Sequence, residues 1–120
     1  DAMIHHPPFL TSETPMVELV EQIRSCPTTA VPVVDENGLV TGILTIESVS
    51  KAIREGADGS TTVGLIVRRD VPVLSPEESL ESVLTRPANG FRQFPVADEF
   101  GLLIGMLDLD SLRVRAQLAV

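Results

Sequence analysis

Two heptapeptides carry the residues whose types and spacing invite chemistry. GILTIES spans residues 42–48 and GMLDLDS spans 105–111, so Gly42, Thr45 and Ser48 recur as Gly105, Asp108 and Ser111. A glycine lets backbone approach a ligand closely. A threonine where strand turns into helix joins its hydroxyl to the free N–H groups of the first turn, which makes an anion site as well as a helix cap. Asp108 in the same place is an excellent cap and repels phosphate: two unit charges 4 Å apart interact by about 1 kcal/mol in water and about 4 kcal/mol near a protein surface. Asp110 adds to that repulsion. Between the heptapeptides stand Arg68 and Arg69, able to neutralise an anion entering from the side of Thr45 or to form a solvated surface. His5 and His6 are adjacent and lack the spacing of a defined metal site. Cys26, before Pro27, reads as a small buried hydrophobe. No Ser-His or Cys-His pattern supports nucleophilic catalysis.

The elements that must position these residues are themselves duplicated. PVVDENGLVTGILTIES (32–48) aligns without gaps on PVADEFGLLIGMLDLDS (95–111), identical at 9 of 17 positions. That identity in a 120-residue chain marks an internal repeat. In the first copy, Thr11 or Ser12 is expected to cap a helix starting near Thr14 and Pro15, with Met16, Leu19, Val20 and Ile23 as its buried stripe. Residues 29–35 are β-branched and read as a strand. Asn37-Gly38 suits a type I′ hairpin turn, and residues 39–46 return as the paired strand. A helix over 47–55 turns Val49, Ala52 and Ile53 inward, and Gly56 closes it. The second copy repeats the order: Ser75 as cap with Pro76 in the first turn, a stripe of Leu80, Val83 and Leu84, strands over 91–97 and 102–107 around Gly101, and a last helix carrying Leu109, Leu112 and Leu118. Residues 55–62 (EGADGSTT) read as a flexible connection. The units are therefore placed at 1–56 and 63–120, with 57–62 between them. Each has too small a sheet to bury a face alone. The expected fold is α+β, two pseudo-symmetric helix–hairpin–helix repeats packed sheet to sheet.

Composition narrows the function. Hydrophobic residues make up 43% with no Trp, no Tyr and four Phe, so the core is aliphatic. The net charge of −8, from 17 acids and 9 bases, argues against a nucleic-acid surface and weakly against anionic membranes. One cysteine permits no internal disulfide and suits a reducing, cytoplasmic setting. No apolar run approaches the roughly 20 residues of a spanning helix, and no signal peptide is visible. The start at Asp1 and the stop in helical character at Val120 suggest a fragment of a larger protein.

The order strand, Pro-Val-Val-Asp-x-x-Gly, Gly-x-Leu-Thr-x-x and amphipathic helix, present twice, resembles a tandem pair of CBS domains, the Bateman module. The resemblance covers about Met3 to Arg115. It implies a non-catalytic regulatory module that binds AMP, ATP or S-adenosylmethionine in clefts between the repeats, signals to an attached output domain and pairs into a homodimer. It also implies a ligand motif Gly-h-h-Ser/Thr-x-x-Asp, in which the hydroxyl meets phosphate and the Asp holds ribose. By that motif Gly42 and Thr45 match, Ser48 replaces the Asp, and Glu47 stands one residue too early to substitute. Gly105 matches, while Asp108 and Ser111 replace both polar positions. A neutral or cationic adenosyl ligand, or a divalent cation, is less disfavoured beside Asp108 than a nucleotide phosphate. The adenine would lie against Thr29, Ala30 and Pro32 in the first copy, and Gln93 and Phe94 in the second. Arg68 and Arg69 fall where family members often place ligand contacts. Two alternatives stay open: a ligand-free dimerisation scaffold, and a divalent-cation sensor with an acidic surface.

Overall fold

The computed structural model describes residues 3–19 and 30–118, the side chains of residues 115 and 116 excepted. Its elements are β1 (Met3–His5), β2 (Leu10–Thr11), β3 (Ala30–Val34), β4 (Val40–Thr45), α1 (Ile46–Arg54), α2 (Leu80–Thr85), β5 (Gln93–Ala97), β6 (Leu103–Asp108) and α3 (Leu109–Leu118). Short 3₁₀ turns cover Met16–Glu18 and Val63–Leu65. Most of the expected first helix, with Val20 and Ile23, lies outside the described residues, as do Cys26 and Thr29.

The two hairpins repeat each other in register. Val33 pairs with Gly42 and Val96 with Gly105, and each hairpin has an irregularity one residue further on, at Val33/Val34 and at Val96/Ala97. The turns are alike too. Asp35 Oδ1 accepts from the N–H groups of Asn37 and Leu39, and Asp98 Oδ1 from those of Phe100 and Leu102, at 2.8–3.0 Å. Within each turn only the glycine takes positive φ, +83° at Gly38 and +87° at Gly101. A type I′ turn would need Asn37 there as well. The Asp35 carboxylate instead caps a turn in which only the glycine is left-handed.

Among the described residues each sheet has three strands, in the orders β2-β3-β4 and β1-β6-β5. The lead-in segments are exchanged between the copies. β1, which opens the first copy, runs antiparallel to β6 with Ile4 opposite Met106. The lead-in to the second copy crosses to β4, where Arg68 and Ile43 exchange both backbone hydrogen bonds, at 2.8 and 3.0 Å. Residues 59–63 are tied back as well, through bonds joining Gly59, Thr61 and Val63 to Val17, Met16 and Thr14. Contact between the hairpin tips adds a bridge from Leu39 to Leu102.

Strand periodicity then distributes the core. Val31, Val33 and Leu44 point to one face, packing with Leu10, Leu19 and Val63. Ala30 and Ile43 point to the other and join Leu74, Val83, Phe91, Phe94, Val96, Leu109 and Leu112 of the second copy. Every residue of β3 is buried because both its faces are covered.

Several local expectations shift by a turn. Pro15 precedes the first 3₁₀ turn with no side-chain cap, because Ser12 Oγ donates to Val34 O and the Thr11 hydroxyl meets that of Thr14. Ser79, not Ser75, caps α2: its Oγ accepts from Ser82 N at 3.1 Å, while Ser75 closes a separate turn. Ala52 is buried on α1, but Ile53 is 57% exposed, as is Leu118 of α3 at 79%. Leu80 is exposed as well, at the edge of the α2 stripe. Gly56 closes α1 as its spacing suggests, with φ +105° and Ala57 N donating to Ala52 O at 2.9 Å.

Candidate functional site

The exchange of lead-ins builds a cleft between the copies. It has a volume of about 370 Å³, within the range of small-molecule sites, and is lined from both copies. Ala30, Ile43, Thr45 and Glu47 form one wall, Asn89–Gln93 the opposite wall, and Arg68 closes the end. At the seam, Ala30 N donates to Gln93 Oε1 at 3.1 Å, so the two equivalent positions of the repeat meet directly.

Thr45 ends β4 and caps α1. Its Oγ1 accepts from Ser48 N at 3.1 Å and donates to Ser48 Oγ, while Ser48 Oγ accepts from Thr45 N at 2.9 Å and donates to Thr45 O at 2.8 Å. This reciprocal capping box uses the Ser48 hydroxyl entirely on the helix end. Ser48 is therefore not in the lining of this cleft; it lines the adjoining hollow, which shares Glu47 and Arg68 with it. Glu47, set aside on spacing, is the acid that lines the cleft. Loss of the box in Ser48→Ala should lower stability by about 1 kcal/mol. Nucleotide affinity should be undiminished, because the Thr45 hydroxyl is then freed. Chemical denaturation and a nucleotide titration on the same variant check both; a hydroxyl that held ribose would instead cost affinity.

The two cations of the cleft are held in different ways. Arg68 Nε and Nη2 donate to the two oxygens of Asp70 at 3.0 and 2.7 Å, and the guanidinium lies 4.6 Å from the centroid of the Phe91 ring. That hydrogen bond holds the Asp70 carboxyl below the usual carboxylate range and, together with nearby Asp70 and Glu47 charge, raises Arg68. Arg92 Nη2 donates to Asp110 Oδ1 in the first turn of α3, and the Asp110 carboxyl is lowered by this bond first and by the charge of Arg92 and Arg113 after it. The resulting surface presents two guanidinium groups, one carboxylate at Glu47, one hydroxyl, and a partly apolar floor of Ala30, Ile43 and Phe91. It can take an anionic group at the arginine end and a flat, polar-edged ring across the seam.

Of the residues singled out by sequence, Ala30, Thr45, Arg68 and Gln93 meet in this cleft. Thr29 lies outside the described residues. Arg69 turns away and donates to Gly64 O at 3.2 Å. Pro32 and Phe94 are core. Gly42 faces the chain's own backbone: a Cβ there would stand 2.1 Å from Arg68 O. Gly105 does the same for β1, with Met3 Sδ at 2.5 Å and Ile4 O at 2.9 Å from a Cβ. Asp108 caps α3, its Oδ1 accepting from Asp110 N at 2.9 Å, and Ser111 is exposed on the same helix. The wall formed by Asn89, Gly90, Phe91 and Arg92 was not singled out by sequence. A signal existed in the repeat itself, since these positions match 26–29, just ahead of the first strand. Among the described residues no group of three or more His, Cys, Asp and Glu could hold a metal ion, and no helix is long and apolar enough to cross a membrane.

Residues 1–55 and 63–116 each match the sequence profile of the CBS domain. The chain belongs to the CBS domain family, as a tandem pair, and so to a class of regulatory modules. It is similar to a homoserine O-acetyltransferase of Methanohalophilus mahii, 31% identical over 85 residues that cover 70% of this chain and 17% of that protein. It thus spans about a sixth of the length of that curated relative. Among solved structures it resembles a CBS domain-containing protein of unknown function from Bacillus anthracis, with a TM-score of 0.86 at 18% identity, covering 100% of this chain and 92% of that one. It also resembles CBSX2 in complex with AMP, with a TM-score of 0.77 at 24% identity, covering 99% and 94%.

Proposed function

We propose that this CBS pair is a non-catalytic regulatory module that binds an adenosyl ligand of the AMP, ATP or S-adenosylmethionine class in the cleft between its copies and biases an attached output domain. The observation that carries the reading is the convergence of Thr45, Arg68 and Arg92 on one cleft with Ala30, Phe91 and Gln93. Phosphate or carboxylate meets Arg68 and Arg92, the uncapped N–H groups at the start of α1 behind Thr45 add donors, and the ring lies across the Ala30–Gln93 seam. CBSX2 carries AMP on the same fold, which supports the ligand class. In this reading the units are 1–56 and 63–120 with 57–62 joining them, the setting is cytoplasmic, and the chain associates as a homodimer. The homoserine O-acetyltransferase of which a similar segment forms 17% supports attachment to a catalytic output domain. A ligand can shift such a partner only through different affinities for two arrangements of the pair.

The test is a thermal-shift panel with AMP, ATP, S-adenosylmethionine and Mg²⁺. A ligand at 100 times its dissociation constant adds about 2.7 kcal/mol to stability. A shift with an adenosyl compound supports the module; a shift with Mg²⁺ alone favours cation sensing, and no shift with any of the four favours a scaffold.

A further inference from the structure

The geometry points to Asp110 as the counter-charge that sets how strongly the cleft prefers anionic over neutral ligands: an anion in the cleft draws the Arg92 guanidinium away from Asp110. This rests on the cleft reading above and adds the residue that regulates it. Arg92 lines the cleft, yet its side chain is paired outside it, on the first turn of α3. Its main chain is fixed at the same point, because Leu109 N donates to Arg92 O at 2.8 Å. A guanidinium on a fixed backbone and a flexible stem can swing between two anions. The Arg68 guanidinium is held more firmly, by two hydrogen bonds to Asp70 and by the Phe91 ring.

Asp110 can release Arg92 without being stranded. It sits in the first turn of a ten-residue helix, where the exposed N–H groups favour a carboxylate. Arg113 contributes further positive charge, and Asp110 N remains bonded to Asp108 Oδ1. The partner being left is solvent-exposed, with side-chain accessibilities of 63% for Arg92 and 58% for Asp110. Such a pair is weak enough for a phosphate to compete with. Occupancy of the cleft is thereby felt at the start of α3, through one side chain.

The experiment is a double-mutant cycle read by calorimetry with AMP, adenosine and inorganic pyrophosphate on the full chain. Asp110→Asn should tighten AMP by roughly two- to fivefold, the range of one exposed ion pair, and leave adenosine unchanged. Arg92→Gln should weaken AMP, and in that background Asp110→Asn should no longer tighten it. Carboxyl-carbon NMR adds a readout that a merely structural role would not move: the Asp110 titration should shift upward when AMP saturates the chain. An unchanged AMP affinity in Asp110→Asn, or equal tightening with and without Arg92, overturns the proposal while leaving the nucleotide reading intact. If neither AMP nor adenosine binds, the nucleotide reading fails by itself and pyrophosphate decides. The same pattern with pyrophosphate upholds the counter-charge; no pyrophosphate binding, or binding indifferent to Asp110→Asn, overturns it.

Discussion

Gly42→Ala unfolds at a Tm roughly 8–16 °C below the parent chain, the largest stability loss expected of any single methyl addition here. The added carbon would meet Arg68 O at 2.1 Å, Arg68 C at 2.9 Å and Val67 Cγ2 at 3.0 Å. The nearest obstacle is backbone, so no rotamer change relieves it. The crossing segment must move out, which strains or breaks the paired bonds between Ile43 and Arg68. Overpacking of this kind costs about 1–3 kcal/mol, and the net loss of one of the two hydrogen bonds about 1 kcal/mol. A total of about 2–4 kcal/mol, at about 4 °C per kcal/mol for a chain of this size, yields the stated shift. Gly105→Ala should cost less, because the nearest atoms belong to the flexible Met3 side chain. Gly56→Ala meets nothing within 4 Å and loses only the ease of its positive φ. Calorimetric melting of the three variants should rank them in that order. An equal loss in all three would mean that these glycines serve only turn geometry and that the lead-in exchange does not hold the halves together.

The second large effect is on binding. Arg68→Gln should weaken AMP by about ten- to a hundredfold, the 1.5–3 kcal/mol of a hydrogen bond to a charged group. Arg68 is held in place before any ligand arrives, so little ordering cost offsets its contact. Arg69→Gln, whose side chain is engaged at Gly64 O, should change AMP affinity less than about twofold. The adjacent pair thus separates the cleft from the charge of the chain at large. Equal losses in both variants would assign the effect to long-range attraction on a protein of net charge −8.

The contrast between those neighbours shows where sequence reasoning stopped. The repeat, the hairpins and the helix closure at Gly56 were legible because each depends on local chemistry: turn residues, period-2 alternation and a glycine in a left-handed position. The exchange of lead-ins was not legible. β1 is three residues long and the Arg68 bridge is one, too short for any periodicity, and nothing local says which copy's sheet edge they join. That missing fact moved the site. Once residues 67–68 cross β4, Gly42 is occupied by backbone, Arg68 faces the cleft and Arg69 faces away. Position 48 is a matter of geometry rather than residue type: the Ser48 hydroxyl turns back to Thr45 in the capping box, and Glu47 lines the cleft. Pro32 and Phe94, expected against the adenine, are core for the opposite reason. An apolar residue on a strand buried on both faces carries no sign of whether it meets core or ligand.

In the proposed reading one cleft, between the copies and lined by Arg68, receives an adenosyl ligand. The most direct measurement is an amide-resolved NMR titration of the chain with AMP, with adenosine alongside. Saturable shifts concentrated at Ala30, Thr45, Arg68 and Phe91–Gln93, with AMP tighter than adenosine, are the predicted result. No saturable shift, or shifts centred on Asp108 and Ser111 instead, would contradict it.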